Sequence, residues 1–256
     1  MRKTTSLLAA LAATISLGLA APALAAGDAA HPKEYEWGHT GPFGTFDRAA
    51  AQRGLLVYQQ VCASCHGLRL VALRTLQDIG LSEGTVKALA AQYTITDGPN
   101  DDGDMFDRPG KPSDRFPNPF ANMKAAAAAN GGAAPPDLSL MVKARKGHED
   151  YLASLLTGYT EPPANHEVPE GAYYNPYFPG GNIKMPPPLN PDQVEYPDGT
   201  KATVEQMAHD VTVFLAWAAE PTMEQRKRTG VKVIIFLLIL TGVLYAAKRK
   251  IWADVH

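Results

Sequence analysis

Two cysteines and one histidine set the chemistry open to this chain. Cys62-Ala63-Ser64-Cys65-His66 has the spacing at which two thiols each add to one vinyl group of a haem. The adjacent imidazole then reaches the iron as proximal ligand. A redox dithiol and half of a zinc site are the other uses of such a motif. Zinc takes about four ligands, usually from a second Cys/His pair, and the 256 residues hold two cysteines in total. A thioredoxin-like dithiol sits in a βαβ context, whereas the residues before Cys62 have helical composition. The motif therefore points to covalently attached haem, with no cysteine left for a structural disulfide. It names a cofactor and is silent about a task.

The sixth position on the iron decides that task. An open position binds gases or peroxide, and a second protein ligand makes an electron carrier. Thioether sulfur is soft, favours Fe(II) and raises the potential. Met207 falls on an apolar helical face, Met223 beside an apolar run, and Met105, Met123 and Met141 in a loop or near helix starts. Met185 differs, because Gly180 and Gly181 precede it and Pro186, Pro187 and Pro188 follow. Glycines permit close approach to a flat ring, and prolines stiffen the chain that must hold an uncharged ligand. His148 and His209 are the rival ligands.

These side chains need a scaffold, and the sequence supplies helical signals on both sides of the motif. Asp47 is an N-cap candidate. Arg48 to Val61 reads as a helix running into the motif, with Leu55, Tyr58 and Val61 at helical spacing. Arg69 to Leu76 has a mixed pattern of strand or short helix, and Ser82 to Tyr93 reads as a helix. Seventeen of the 21 prolines lie between 97 and 200, which predicts long loops and few strands. Within that stretch Met123 to Asn130 reads as an Ala-rich helix ended by Gly131. Leu138 to Lys146 and His148 to Leu156 read as two more, divided near Gly147. Thr203-Val204-Glu205-Gln206 fits a capping box. Val204, Met207, Ala208, Val211, Phe214, Leu215 and Ala218 then recur down one helical face until Pro221. This helix is expected to pack across the one before Cys62.

The two ends read as export and anchoring signals. Residues 1–25 combine Arg2 and Lys3, an apolar run from Leu7 to Ala20, and Ala23-Leu24-Ala25 as an A-x-A cleavage site. Val231 to Ala247 is apolar apart from Lys232, and 17 residues reach about 26 Å, the short end for a bilayer span. The expected organisation is a signal peptide at 1–25 and a periplasmic haem domain at 26–225. A transmembrane anchor at 226–250 and a cytoplasmic tail at 251–256 follow. Such a chain would sit in a bacterial inner membrane with a single pass. The basic Arg226-Lys227-Arg228 cluster on the outer side runs against the positive-inside rule.

Charge is unevenly spread. Residues 26–225 carry 15 basic and 25 acidic side chains, so this part stands near −10 while the whole chain stands at −2. That surface repels nucleic acid and steers a basic partner. Asp97, Asp101, Asp102, Asp104 and Asp107 form an acidic run, a solvated loop or a docking surface. Its D-x-D fragment lacks the Gly and closing Glu of an EF-hand loop.

Taken together, the stretches resemble the cytochrome c1 family, the haem subunits of the bc1 complex (ubiquinol–cytochrome c reductase). They are Val61–His66, Asp97–Asp114, Pro135-Pro136-Asp137-Leu138-Ser139, Glu149-Asp150-Tyr151 with Leu155–Tyr159, Asn175–Gly180, and Phe214–Pro221 with the anchor after it. They cover nearly all of the mature chain in order. The resemblance implies a mostly α-helical, class I cytochrome c-like haem domain with long loop insertions, plus one C-terminal transmembrane helix. It implies one haem c attached at Cys62 and Cys65, with His66 and Met185 as iron ligands. Asn130, Pro135, Pro136, Arg145 and Tyr151 would line the haem. Arg145 also has a planar fork suited to a propionate. The implied partners are cytochrome b, the Rieske iron–sulfur protein as donor and a cytochrome c as acceptor, in a dimeric membrane complex. The chain would then be an electron-carrying subunit of an oxidoreductase with no acid–base catalyst of its own. Rival readings are the haem subunit of a different respiratory complex, a haem sensor or peroxidase with an open sixth position, and a purely structural subunit.

Overall fold

The computed structural model describes residues 29–254. The export-signal reading of residues 1–25, with Ala23-Leu24-Ala25, lies outside them. Asp47 starts α1 (Arg48–Val57) by accepting the Ala50 N–H at 3.1 Å. The helix then widens into a π turn over Tyr58–Cys62, where the Ala63 N–H reaches back five residues to the Tyr58 carbonyl at 2.8 Å. Such wide turns are rare and concentrate at functional sites. A 3-10 helix follows at Leu73–Ile79 and ends on Gly80 in the left-handed region. Next comes α2 (Glu83–Ala90), capped by Ser82 and shorter at both ends than the sequence suggested.

The Pro-rich middle holds little regular structure, as its composition predicts. It opens with an antiparallel hairpin, β1 (Thr94–Asp97) against β2 (Phe106–Pro109), with Thr94 opposite Pro109 and Asp97 opposite Phe106. α3 (Met123–Ala129) and α4 (His148–Thr157) follow. A two-residue ladder joins β3 (Tyr173–Tyr174) to β4 (Asn182–Ile183). Leu138 to Lys146 is a chain of turns, which corrects the helix expected there. The Leu138 N–H is spent on the Gly67 carbonyl and the Ser139 N–H on the Asp137 carboxylate. The apolar spacing that suggested a helix is real, since Leu138, Met141 and Val142 are buried in the core. It serves two turns of chain tied to another strand of backbone.

α5 (Val204–Ala219) is the central strut of the core. Thr203 caps it through the Gln206 N–H at 3.1 Å. The reciprocal half of the capping box is absent, because the Gln206 amide donates to Asp210 instead. From Met207 to Ala219 only His209 escapes full burial, so the single apolar face expected is too narrow a description. α1 packs on one side, α4 on another, and Trp37 of the N-terminal arm stacks on His209 at 5.1 Å. Contact with α1 is backbone to backbone: a Cβ on Gly54 would strike the Asp210 carbonyl and Phe214. There Arg53 grips the fully buried Asp210 through Nε at 2.7 Å and Nη2 at 3.0 Å. A charge that far from water is tolerable only when paired and hydrogen-bonded.

α6 (Met223–Ile251) projects from this head with nearly all of its side chains exposed. Its 29 residues reach about 43 Å, and an 18-residue stretch is long and apolar enough to cross a membrane. Its first turns are bound to the head. Glu224 takes two hydrogen bonds from Arg48 and one from the Phe46 N–H. Glu220 takes Arg226 at 2.6 Å and Lys143 at 2.9 Å.

Candidate haem site and family

The π turn delivers Cys62 and Cys65 as free, half-buried thiols. Burial pushes the Cys62 thiol up to about 12, with the neighbouring Cys65 adding to the rise. His66 follows on the same turn, its N–H bonded to the Cys62 carbonyl at 2.9 Å. Its carbonyl accepts the buried Tyr58 hydroxyl at 3.0 Å. Tyr58 lies one helical turn before Cys62, and nothing but that spacing marked it in the sequence.

The His66 ring is oriented from the other side. Nδ1 lies 2.7 Å from the Pro136 carbonyl, an atom that only accepts, so Nδ1 carries the proton. That leaves Nε2 as the bare lone pair. Burial holds the ring below the usual imidazole range despite the Pro136 bond, and the neutral form is the one that binds metal. Pro136 is itself pinned. The Asp137 carboxylate accepts the Arg69 and Ser139 N–H groups at 2.9 Å each, and a Cβ on Gly67 would meet the Asn118 and Asp137 side chains. Asp137 was not among the residues singled out by sequence, although it follows directly in the Pro135-Pro136-Asp137 run.

Met185 belongs to a different cluster. The main core holds Cys62 and Ala63, whereas Tyr151, Leu155 and Ile183 form a second apolar cluster packed by Tyr159, Phe178 and Met185. The Tyr159 hydroxyl donates to the Met185 carbonyl at 3.0 Å. Asn175, fully buried, ties this loop to α4 through the Leu155 carbonyl at 2.8 Å. The His166 ring lies 2.9 Å from the Asn182 amide oxygen. Met207 and Met141 belong to the main core, Met223 is buried at the base of α6, and Met105 and Met123 are exposed. His209 stacks on Trp37, and His148 meets the Val142 carbonyl at 3.2 Å.

The remaining candidates lie as follows. Asn130 closes α3, donating its amide to the Ala126 carbonyl at 2.8 Å. Pro135 is half-buried and Pro136 exposed. Arg145 is exposed beside Tyr151, whose phenol burial pushes up and Arg145 pulls down. Among the described residues no three His, Cys, Asp or Glu side chains gather as a bare metal site. The donor set does fit a haem: two thiols and a bare imidazole nitrogen on one turn, and a braced thioether among aromatic side chains.

A mostly helical head of the c-type cytochrome fold, carried on one apolar helix, is the class these features define. Comparison narrows it. The Cytochrome C1 family matches over residues 37–255. Cytochrome c1 of Rhodospirillum rubrum is 49% identical over 257 aligned positions, covering 94% of each chain. The mitochondrial haem protein cytochrome c1 1 of Arabidopsis thaliana is 54% identical, covering 85% of this chain and 71% of its own. Cytochrome b/c1 of Bradyrhizobium diazoefficiens is 52% identical over 88% of this chain, which spans 36% of that protein's length. The chain belongs to the cytochrome c1 family. That membership supports a haem-type cofactor, and α6 fits a membrane anchor.

Proposed function

We propose that the chain is the haem-bearing electron carrier of a ubiquinol–cytochrome c oxidoreductase. Cys62 and Cys65 would hold one haem by thioethers, and His66 Nε2 and the Met185 sulfur would be its iron ligands. Asn130, Pro135, Pro136, Arg145 and Tyr151 would line the ring, with the exposed Arg145 guanidinium suited to a propionate. Iron in that setting supplies a one-electron couple. The residues of the chain do the rest: Pro136 fixes the imidazole tautomer, Tyr58 fixes the backbone of His66, and Tyr159 fixes that of Met185. The chain takes one electron from the Rieske [2Fe–2S] centre and gives it to a cytochrome c. Cytochrome b is its membrane neighbour, in a dimeric complex.

The two basic clusters that flank the span differ in their partners. Arg226, Arg228 and Lys227 are met by Glu220, Glu224 and backbone carbonyls of the head. Among the described residues Lys248, Arg249 and Lys250, in the last turn of α6, meet no acid. The export signal read at residues 1–25 is what sets the orientation: residues 26–225 would stand in the periplasm and 251–256, with the Lys248–Lys250 cluster before them, inside.

The observation that carries this reading is the His66 ring, placed beside two free thiols with Nδ1 engaged and Nε2 bare. Denaturing electrophoresis with haem staining tests it. The parent should stain at full length, while Cys62→Ser and Cys65→Ser should lose stain, holoprotein or both. Undiminished stain in both variants would sink covalent attachment.

A further inference from the structure

Phe43 is the most exposed large apolar side chain in the described residues, at 80%. It occupies the tip of a turn, Gly41-Pro42-Phe43, in which Gly41 takes the left-handed φ of +71°. A turn this open has no core to serve. Its position is fixed by the base of the anchor helix. The Phe46 N–H meets Glu224 at 2.9 Å, and two residues earlier the Gly44 carbonyl meets Lys227 Nζ at 3.3 Å. Both contacts place this leg of the turn against the first turns of α6. Lys227 also donates to the His39 carbonyl at 2.6 Å, so both legs of the turn close on one ammonium. His39 is held in turn by Glu149 at 3.0 Å. Only Arg228, Thr229 and Gly230 separate Lys227 from Val231, about 6 Å along the axis to the start of the apolar span.

We infer that the Gly41–Gly44 turn is a foot that seats Phe43 in the lipid interface on the head side of the membrane. The partner is the lipid surface itself. Continuity with the apolar face of α6 argues for it, because the ammonium that holds both legs of the turn belongs to a residue four positions before Val231. Aromatic side chains favour this zone, and Tyr245 and Trp252, exposed near the other end of α6, supply the matching ring positions there. Lys227 acts as the latch. Its ammonium, drawn into two carbonyls, fixes the depth of the foot and so the tilt of the head over the bilayer.

Spin labelling of the full-length, haem-loaded chain, purified with its accompanying subunits into phosphatidylcholine–phosphatidylglycerol vesicles, tests this. Phe43→Cys and, as a control on the exposed hairpin, Met105→Cys would each carry a nitroxide, with the parent treated alike as baseline. Relaxation by oxygen against an aqueous nickel chelate reads depth. The expected oxygen-to-chelate ratio at 43 is severalfold above that at 105. Equal ratios put Phe43 in water, and shielding from both relaxants puts it against protein; either overturns the inference. In a Lys227→Met background the ratio at 43 should fall towards the value at 105. An unchanged ratio in a folded variant overturns the latch. Should that variant fail to fold, the comparison of 43 with 105 still decides the foot.

Discussion

The lone pair on His66 Nε2 exists because a carbonyl occupies the other nitrogen. That logic, a side chain made useful by what its remaining atoms must do, repeats at Met185. Its sulfur has no charge to anchor it, so its carbonyl is tied to Tyr159 and its loop to α4 through Asn175. Residue type and spacing mark candidate reactive atoms and conceal their supports. Cys62, Cys65, His66 and Met185 stand out by residue type and neighbours. Tyr58, Asp137 and Tyr159 do not, because a hydrogen bond across eight to seventy residues leaves no local pattern. Met185 carries a sharp prediction. Met185→Lys replaces soft sulfur by a harder nitrogen that favours Fe(III), so the midpoint potential should fall. Each drop of about 59 mV shifts a one-electron equilibrium tenfold against accepting the electron. Met185→Leu should open the position to carbon monoxide. A redox titration in which the Lys variant keeps the parent potential would remove Met185 as ligand.

Elements were legible where local signals and tertiary demand agree. α1 and α5 have caps, period and length, and both formed. The hairpin β1–β2 was missed because its fit depends on side chains eleven residues apart rather than on alternation. Arg108 bridges Asp97 and Asp114 there, and Asp107 accepts the Thr96 hydroxyl. Hydrogen bonds from Arg108, then the Lys111 N–H, hold the Asp114 carboxyl down at about 2, and Arg108 lowers Asp97 as well. A folded-state pKa below the unfolded value of about 3.9 gives stabilisation that is complete above that pH. It is lost as pH falls through about 2. Amide protection over Thr94–Pro109, taken relative to the intrinsic exchange rate at each pH, should therefore fall selectively on acidification through this window, and Arg108→Gln should abolish that selective loss. A hairpin equally protected across the window would contradict the role given to Arg108. The α1–α5 crossing makes a separate prediction. Gly54→Ala forces a Cβ into the Asp210 backbone, which cannot rotate away. Overpacking of this kind should cost about 3 kcal/mol or more, read as a lowered denaturant midpoint. Gly84→Ala on exposed α2, where the nearest neighbour of a Cβ is 3.8 Å away, should instead be neutral or gain about 0.5–1 kcal/mol.

At the scale of the molecule, charge and apolar surface divide the labour. The anchor presents an apolar cylinder to lipid, and the head keeps its net charge near −10 for the aqueous side. Structure refines which acids can steer a partner. Of the five aspartates in the 97–107 run, Asp97 is spent on Arg108 and Asp107 on Thr96. Asp101, Asp102 and Asp104 remain exposed at the hairpin tip, with no cation partner among the described residues and with exposed Met105 and Phe106 beside them. An acidic rim around a small apolar patch suits brief docking of a basic protein: charge raises the encounter rate, and the patch is too small to delay release. Electron transfer to a basic cytochrome c should therefore slow as salt rises, since exposed charges are screened over about 8 Å at physiological ionic strength. Changing Asp101, Asp102 and Asp104 together to Asn should flatten that dependence and lower the rate at low salt. Asp97→Asn should chiefly loosen the hairpin and leave the salt slope near the parent's. Stopped-flow rates over a salt series separate these effects. A triple variant with the parent's slope would move the docking surface elsewhere on the head, and a parent with no slope would remove electrostatic steering altogether.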